Sequence, residues 1–164
     1  MALITQPLRD EHRELMPELE ILSEAGSGVE SADARDLLVR AVAFLQGHLI
    51  PHAQAEEAAL YPVVGRLMGA AGATATMTRD HVEVGRLTDQ LASLRDRWGG
   101  GPSERQEARQ LLFGLYVLLH VHFAKEEEIY LPLLDERLGA EEGQAMFAAM
   151  EDAAGAAKAA AGKN

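Results

Sequence analysis

Apolar residues recur at alternating steps of three and four positions along four long segments of the chain. In the second segment the pattern runs from Leu38 through Leu45 and Leu60 to Leu67. This spacing places the apolar side chains on one face of an α-helix, and no segment shows the strict alternation that indicates a half-buried strand. Helices that each bury one such face pack well against near-parallel neighbours. We therefore predict an all-α protein that forms an up-down four-helix bundle.

Glycine and proline set the expected limits of the helices. Glycine-rich breaks separate the segments, which predicts helices over about residues 5–25, 32–68, 76–98 and 103–137. Pro51 lies in the middle of the second helix and predicts a kink there. A short extra C-terminal helix is expected from about Glu141, and the Ala/Gly/Lys composition after it predicts a frayed tail. We thus expect a four-helix bundle domain over residues 1–152 and a low-complexity tail over residues 153–164.

Histidines interrupt the apolar stripes in all four helices, and glutamates do so in two of them. The histidines are His12, His52, His81 and His122, and the glutamates, each one turn after a histidine, are Glu56 and Glu126. Burying four imidazoles and two carboxylates in one core is costly unless something pairs them. One core histidine is usually only hydrogen-bonded, but two matching pairs in register fit chance poorly. A metal site accounts for all six residues.

The two halves of the chain repeat this pattern. His12 and His52 in the first half are separated by almost the same number of residues as His81 and His122 in the second. In both halves a glutamate stands four positions after the second histidine, and a proline follows further on at the same distance. A helical hairpin with the pattern His…His-x-x-x-Glu therefore occurs twice. Two such hairpins related by a pseudo-two-fold axis would bring all six residues to one centre.

The spacing of histidine and glutamate favours a pair of metal ions. Residues four apart on a helix project from the same side, so His52 shares a face with Glu56, and His122 shares one with Glu126. Six nitrogen and oxygen ligands, two of them carboxylates able to bridge, suit two octahedral or five-coordinate transition-metal ions, whereas one tetrahedral zinc needs only four groups. The chain has no cysteine, so sulfur ligands are excluded and iron is the leading metal.

At these residues the sequence resembles the hemerythrin-like (HHE cation-binding) domain family. The resemblance covers about residues 8–134 and rests on two stretches, 48–62 and 122–132. It implies a four-helix bundle with a non-haem di-iron site in its core. It also implies that the four histidines are terminal ligands and that Glu56 and Glu126 bridge two iron ions (Fe2+/Fe3+). An oxo or hydroxo bridge between the ions would complete the expected site.

The pattern departs from that of the oxygen-carrying hemerythrins. Those proteins use five histidines, with a His-x-x-x-His pair on the third helix and a His-x-x-x-x-Asp pattern on the fourth. Met77 and Gly85 stand four positions before and after His81, so the third-helix pair is missing. The four-His, two-Glu pattern resembles family members linked to iron sensing, nitrosative stress repair or peroxide handling. Ferritin-type Glu-x-x-His pairs do not occur in the sequence.

Two further histidines are less easily assigned. His48 lies one turn before His52, near the same face. It is either a seventh ligand or a proton donor near the site, or else a boundary histidine beside Pro51. His120 lies about 200° around the helix from His122, which favours a surface or packing role.

Tyrosines and two more glutamates lie close to the predicted ligands in the sequence. Tyr61, Tyr116 and Tyr130 could each hydrogen-bond to a metal-bound group or ligate a metal, although packing is the commoner role of a tyrosine in a bundle. Glu57 and Glu127 follow a histidine at the fifth position, which rotates them away from it and predicts that they point to the outside of the bundle. Neighbouring glutamates or backbone carbonyls are expected to fix the histidine tautomers.

The charge balance limits the partners of the chain. Lys and Arg number 15 against 26 Asp and Glu, a formal net charge of −11, so no basic surface is expected to bind nucleic acid. The longest apolar run, residues 111–119, is far shorter than the ~20 residues that span a bilayer. No targeting segment is recognised near the N-terminus. We expect a cytoplasmic protein, monomeric or homodimeric, without nucleic-acid or membrane partners.

Together these patterns favour a non-haem di-iron protein that binds a small ligand at a carboxylate-bridged site in the bundle core. The expected ligand is a small diatomic, dioxygen or nitric oxide, or peroxide. Two alternatives stay open: a stress or repair enzyme that decomposes peroxide or donates iron, and a metal-binding bundle without turnover. The sequence shows no His-Glu-x-x-His, Gly-rich phosphate loop or Gly-x-Ser-x-Gly motif, so metalloprotease, nucleotide-binding and esterase functions have no support.

Overall fold

Helices make up the secondary structure of residues 3–70 and 72–161, the part of the chain that the computed structural model describes. No strand occurs within those residues, so the predicted all-α class is confirmed for them. The helical runs in chain order are α1 (Gln6–Glu18), α2 (Glu20–Ser27), α3 (34–68), α4 (Ala75–Asp96), α5 (102–137) and α6 (Ala140–Ala161). None of these described helices is both long enough and apolar enough to cross a membrane.

α1 and α2 replace the single helix predicted over residues 5–25. The chain interrupts its helical run at Leu19, and Pro17 lies just before this point inside α1. A proline cannot donate a backbone hydrogen bond and crowds the carbonyl four residues before it, which weakens the helix locally. The other three predicted helices match α3, α4 and α5 to within a few residues at each end.

α3 and α5 contain turns that are wider than an α-helical turn. Hydrogen bonds between residues five apart close these turns. These π turns are Leu45–Leu49 and Glu56–Leu60 in α3, and Glu126–Tyr130 in α5. Each ends two residues before a proline, namely Pro51, Pro62 or Pro132. Since a proline cannot close an ordinary α-helical turn, the wider turn takes its place. At Pro51, where a kink is predicted, the structure has the first of these turns.

α6 is longer than the sequence predicts. It has 22 residues, Ala140–Ala161, so the expectation of a short helix and a frayed tail from residue 153 is wrong for the part that the structure describes. Alanine is the strongest helix former, and Met146 and Met150 are buried in a cluster shared with α3. The last residues of the predicted tail, 162–164, lie outside the described part.

The helices contact one another in a closed ring. α2 packs against α3 and α5, and α4 packs against the same two helices. α6 packs along the middle of α3. Buried apolar side chains form two clusters, a larger one that includes Leu45, Leu115 and Phe123, and a smaller one that includes Leu60 and Leu131. The polar residues singled out in α3 and α5 lie where one cluster gives way to the other.

Candidate metal centre

The six predicted ligands meet in the interior of the protein. His12 lies on α1, His52 and Glu56 on α3, His81 on α4, and His122 and Glu126 on α5. Both glutamate side chains are 0 % exposed, and the four histidine side chains are 3 to 10 % exposed. Buried imidazoles and carboxylates have to be satisfied by one another or by a cation.

Glu56 lies between two pairs of histidines. Its Oε1 is 3.1 Å from Nε2 of His52, and its Oε2 is 3.2 Å from Nε2 of His81. The Nε2 atoms of His12 and His122 lie further out, each 3.9 Å from the same carboxylate. This carboxylate therefore presents one oxygen to each pair, as a group able to bridge two metal ions must.

Glu126 faces the same two pairs from α5. Its Oε2 is 3.6 Å from Nε2 of His12, and its Oε1 is 3.5 Å from Nε2 of His122. The ligand atoms fall into two groups, each within 4.8 Å of one another: His12, His52, Glu56 and Glu126 in one, and Glu56, His81 and His122 in the other. Two groups that share a carboxylate are what a pair of neighbouring ions requires.

Several buried atoms at the centre have no hydrogen-bond partner. They are Nε2 of His12, both ring nitrogens of His52, both carboxylate oxygens of Glu56 and Oε2 of Glu126. In addition, the Nε2 atoms of His81 and His122 face each other across 3.0 Å. An unpaired buried polar atom costs about 1–3 kcal/mol, and native proteins contain few of them. A cation placed among these nitrogen and oxygen atoms would satisfy them, so the donor set fits a metal.

The outer nitrogen of each histidine, Nδ1, lies beside a further carboxylate. The distances are 2.8 Å from His12 to Glu127, 3.1 Å from His52 to Glu11, 2.9 Å from His81 to Glu57 and 3.2 Å from His122 to Asp80. At His12, His81 and His122 this contact is a hydrogen bond. A carboxylate that accepts from Nδ1 holds a proton there and leaves Nε2 free to bind a metal. Glu57 and Glu127 agree with the expectation that neighbouring glutamates fix the histidine tautomers, and Asp80 takes the same role at His122.

Glu57 and Glu127 correct one expectation from the sequence. They are predicted to point to the outside of the bundle, but each contacts a histidine on a neighbouring helix. Each also directly follows the first residue of a π turn, Glu56 or Glu126. A residue in such a turn advances less around the helix axis than in an α-helix. The side chain that follows the predicted ligand therefore stays close to the site.

Additional side chains hold three of the four outer carboxylates in place. Arg9 pairs with Glu127, Lys125 pairs with Asp80, and the Thr78 hydroxyl donates to Oε2 of Glu57 at 3.0 Å. Because these carboxylates have fixed partners of their own, they hold the imidazole rings in one orientation.

Tyr61 belongs to the centre, although the sequence does not separate it from the other tyrosines. Its hydroxyl donates to Oε1 of Glu126 at 2.9 Å and lies 3.3 Å from Nε2 of His81 and 3.4 Å from Nε2 of His122. Tyr61 follows Glu56 by one π turn of α3. That turn brings Tyr61 beside the ligands, a position that ideal α-helical geometry does not predict.

The remaining candidates lie outside the centre. His48 is exposed on α3. His120 packs edge-on against the ring of Tyr116, with 4.4 Å between ring centroids. Tyr130 donates its hydroxyl to the backbone carbonyl of Ala73 at 3.2 Å. Of the residues whose role the sequence leaves open, only Tyr61 lies beside the six predicted ligands within the described part of the chain.

The model of the hemerythrin HHE cation-binding domain family matches the chain twice, over residues 3–134 and over residues 76–162. The first match covers most of the chain. The chain belongs to this family. The second match begins at the start of α4 and overlaps the first, in keeping with the repeat between the two halves.

A curated relative of this hemerythrin-family chain is the iron-sulfur cluster repair protein YtfE of Pectobacterium carotovorum subsp. carotovorum (strain PC1). The two are 32% identical over 98 residues, which is 57% of this chain and 44% of the relative. The chain thus spans less than half the length of that relative. No solved structure matches the chain.

The ionisable groups at the centre of this hemerythrin-family protein perturb one another strongly. Burial opposes charge on His52 and His122, but the neighbouring glutamates outweigh it, so the pKa of His52 rises well above its usual value and that of His122 rises to about 10. Burial also opposes charge on Glu56, yet the histidines hold the pKa of this glutamate well below its usual value. At Glu126, burial and the nearby charge of Glu56 together raise the pKa. Without a metal, protonated imidazoles neutralise the buried carboxylates. A metal ion would take over this role and displace the protons.

Proposed function

We propose that this protein binds two iron ions joined by an oxo or hydroxo bridge, and that dioxygen, nitric oxide or peroxide binds to them as a small ligand. His12 and His52 would hold one ion, His81 and His122 the other, and Glu56 and Glu126 would bridge the two. The observation that carries the proposal is that each of these carboxylates presents one oxygen to each histidine pair. Membership of a cation-binding family supports it.

The chemistry of the donors favours iron. The chain has no cysteine, and imidazole and carboxylate groups suit iron and similar transition metals. Two histidines, two carboxylate oxygens and the bridge would give each ion five donors and would leave a sixth position for a ligand. The iron pair supplies the redox chemistry when bound, while the protein supplies fixed donors and a dry pocket. Phe123, for example, packs its ring 4.6 Å from that of His12 and 5.7 Å from that of His52.

We further propose that the ring of contacts among α2, α3, α4 and α5 is an up-down four-helix bundle, in which α1 and α2 together form the first helix and α6 is added on the side of α3. The contacts between helices support this arrangement. In such bundles metal sites are built from side chains that project inward from facing helices, and the six proposed ligands are all buried or nearly buried.

Metal analysis and an optical spectrum of protein isolated without oxygen test the proposal. We expect two iron ions per chain and a charge-transfer band that appears with oxygen and disappears on degassing. His12→Ala and His81→Ala, which each remove a ligand from one half of the site, should lower the iron content. His48→Ala is the matched control, because His48 is exposed on the same bundle. Zinc alone, without uptake of iron, would contradict the proposal.

A repair or peroxide-decomposing activity is the second candidate. The similarity to a relative named as an iron-sulfur cluster repair protein favours it. Catalytic release of oxygen from hydrogen peroxide, lost in His122→Ala, would support decomposition of peroxide. Transfer of labelled iron from the protein to a metal-free iron–sulfur protein would support iron donation. If neither occurs and a small ligand binds reversibly, the binding function stands alone.

A further inference from the structure

The two halves of the centre differ at one position of the repeat. Tyr61 directly precedes Pro62 in the first half, and Leu131 directly precedes Pro132 in the second. Both side chains are buried, at 3% and 0% exposure. The repeat thus places a hydroxyl group on one side of the centre and a purely apolar side chain at the equivalent position on the other.

Tyr61 contacts the half of the centre that contains His81 and His122. Its ring stacks on that of His81, with centroids 5.4 Å apart and an angle of 11° between the planes. Its hydroxyl lies within 3.4 Å of Nε2 of both histidines and donates to Glu126. A hydroxyl that reaches the metal-facing atoms of two ligands also reaches any small molecule bound between them.

Phe123 covers the other half. Its ring makes edge-on contact with His12 and a tilted contact with His52. Phe123 directly follows His122 in the sequence, and the residue that directly follows His52 is Ala53. The repeat is therefore broken a second time, so that a large apolar ring packs against the histidines of the half that has no tyrosine.

Cavities lie on both sides of the centre. One of about 810 Å³ lies beside Phe123 and His12. The cavity on the Tyr61 side has a volume of about 590 Å³, and its walls include Glu57, Tyr61, Arg66 and Thr74. Glu57 is also the carboxylate beside Nδ1 of His81. A small molecule that enters this cavity from the surface meets Tyr61 and the partner of His81 first.

From these asymmetries we infer that the two metal positions are not equivalent, and that the exogenous ligand binds on the side of His81 and His122. Once Glu126 binds the metal ions, the single proton of the Tyr61 hydroxyl is donated to this ligand instead of to Glu126. The ligand class is a small hydrogen-bond acceptor such as a peroxide or a compact anion. This inference rests on the proposed function, because it requires iron at the centre. It assigns Tyr61 the role of a residue that positions the ligand.

Azide binding to the iron-loaded protein tests the inference, with Tyr61→Phe compared with the wild type. We expect Tyr61→Phe to keep its two iron ions but to bind azide about 10- to 100-fold more weakly, the loss expected for one hydrogen bond to a charged acceptor. Tyr130→Phe is the matched control, because it keeps the ring that packs edge-on against Tyr61 and removes a hydroxyl that donates to the backbone carbonyl of Ala73. Its azide affinity should equal that of the wild type.

Equal azide affinity in the wild type and Tyr61→Phe, both with full iron content, would overturn the inference and leave the proposed function intact. An intense visible band in the wild type before azide is added, lost in Tyr61→Phe, would make the phenol a metal ligand and would also overturn it. Absence of iron from the wild type would refute the proposed function itself. If Tyr61→Phe does not fold, the infrared stretching frequency of azide bound to the wild type is measured in H2O and in D2O. A hydrogen bond donated to the azide makes this frequency differ between the two solvents. The same frequency in both solvents would overturn the inference.

Discussion

Raising the pH should destabilise the metal-free protein. The glutamates beside His122 overcome the effect of burial and raise its pKa from 6.5 to about 10. A group whose pKa is higher in the folded than in the unfolded state stabilises the fold fully below the unfolded pKa. That contribution is lost as the pH rises through the folded pKa. The loss for His122 therefore falls between about pH 6.5 and pH 10.

The magnitude follows from the number of protons that the folded protein holds in excess. Each excess proton lowers the free energy of unfolding by about 1.4 kcal/mol per pH unit. Between pH 7.5 and 9.0, His122 alone should cost about 2 kcal/mol by this rule. His52, whose pKa is also raised well above its usual value against the effect of burial, should steepen the slope.

Urea unfolding in the presence of a chelator, followed by circular dichroism at several pH values, measures this slope. His122→Gln should reduce the slope of the free energy of unfolding against pH by the equivalent of about one proton. Iron-loaded protein should show little dependence on pH, because an imidazole nitrogen bound to a metal cannot hold the second proton. A free energy of unfolding that is constant or rises between pH 7.5 and 9.0 in the metal-free protein would refute the reasoning.

Other perturbations of the centre have equally direct readouts. Glu126→Gln keeps the side-chain volume but removes the charge of a proposed bridge, so elemental analysis should find one iron ion or none. Glu57→Gln and Glu127→Gln should each weaken metal binding about 10- to 100-fold in competition with a chelator, whereas Glu128→Gln, at an exposed position, should not. Removal of iron should lower the melting temperature, because metal at 100 times its dissociation constant stabilises the fold by about 2.7 kcal/mol. Equal melting with and without iron would argue against a site.

The parts of the structure that follow local rules could be predicted from the sequence. The apolar stripes and glycine breaks placed α3, α4 and α5 closely, because helix periodicity and helix ends depend on near neighbours in the chain. The same periodicity placed His52 beside Glu56 and His122 beside Glu126. To predict that these residues converge with the histidines of α1 and α4, the repeat was needed as well. The periodicity of one helix does not show which side chains of the other helices face that helix.

The identity of the outer carboxylates and the choice of Tyr61 among the three tyrosines could not be predicted, for a physical reason. The prediction for Glu57 assumed ideal α-helical geometry, and the π turn that begins at Glu56 changes the direction of every side chain that follows within it. Tyr61 and Tyr130 are both buried, so burial does not reveal which hydroxyl reaches the centre. The length of α6 was missed because a composition rich in alanine and glycine was interpreted as a tail, although the buried Met150 gives it a surface on which to pack.

Replacing Pro62 with alanine should stabilise the metal-free protein and weaken metal binding at the same time. Pro62 lacks the backbone N–H that would close an α-helical turn, and the adjacent π turn is closed instead by the Tyr61 amide and the Glu56 carbonyl. An alanine restores the N–H and removes a penalty of up to about 3 kcal/mol. The turn can then tighten, which rotates Glu56 and Glu57 away from the histidines. Pro17→Ala is the matched control.

That control separates the two effects, because Pro17 lies inside α1 without a π turn beside it. Pro17→Ala should raise the free energy of unfolding and leave iron binding unchanged. Pro62→Ala should raise the free energy of unfolding of the metal-free protein but need a higher concentration of iron for half-saturation in a chelator competition. If Pro62→Ala is more stable and binds iron as tightly as the wild type, the proline does not maintain the turn. The direction of Glu56 and Glu57 must then come from packing against the neighbouring helices.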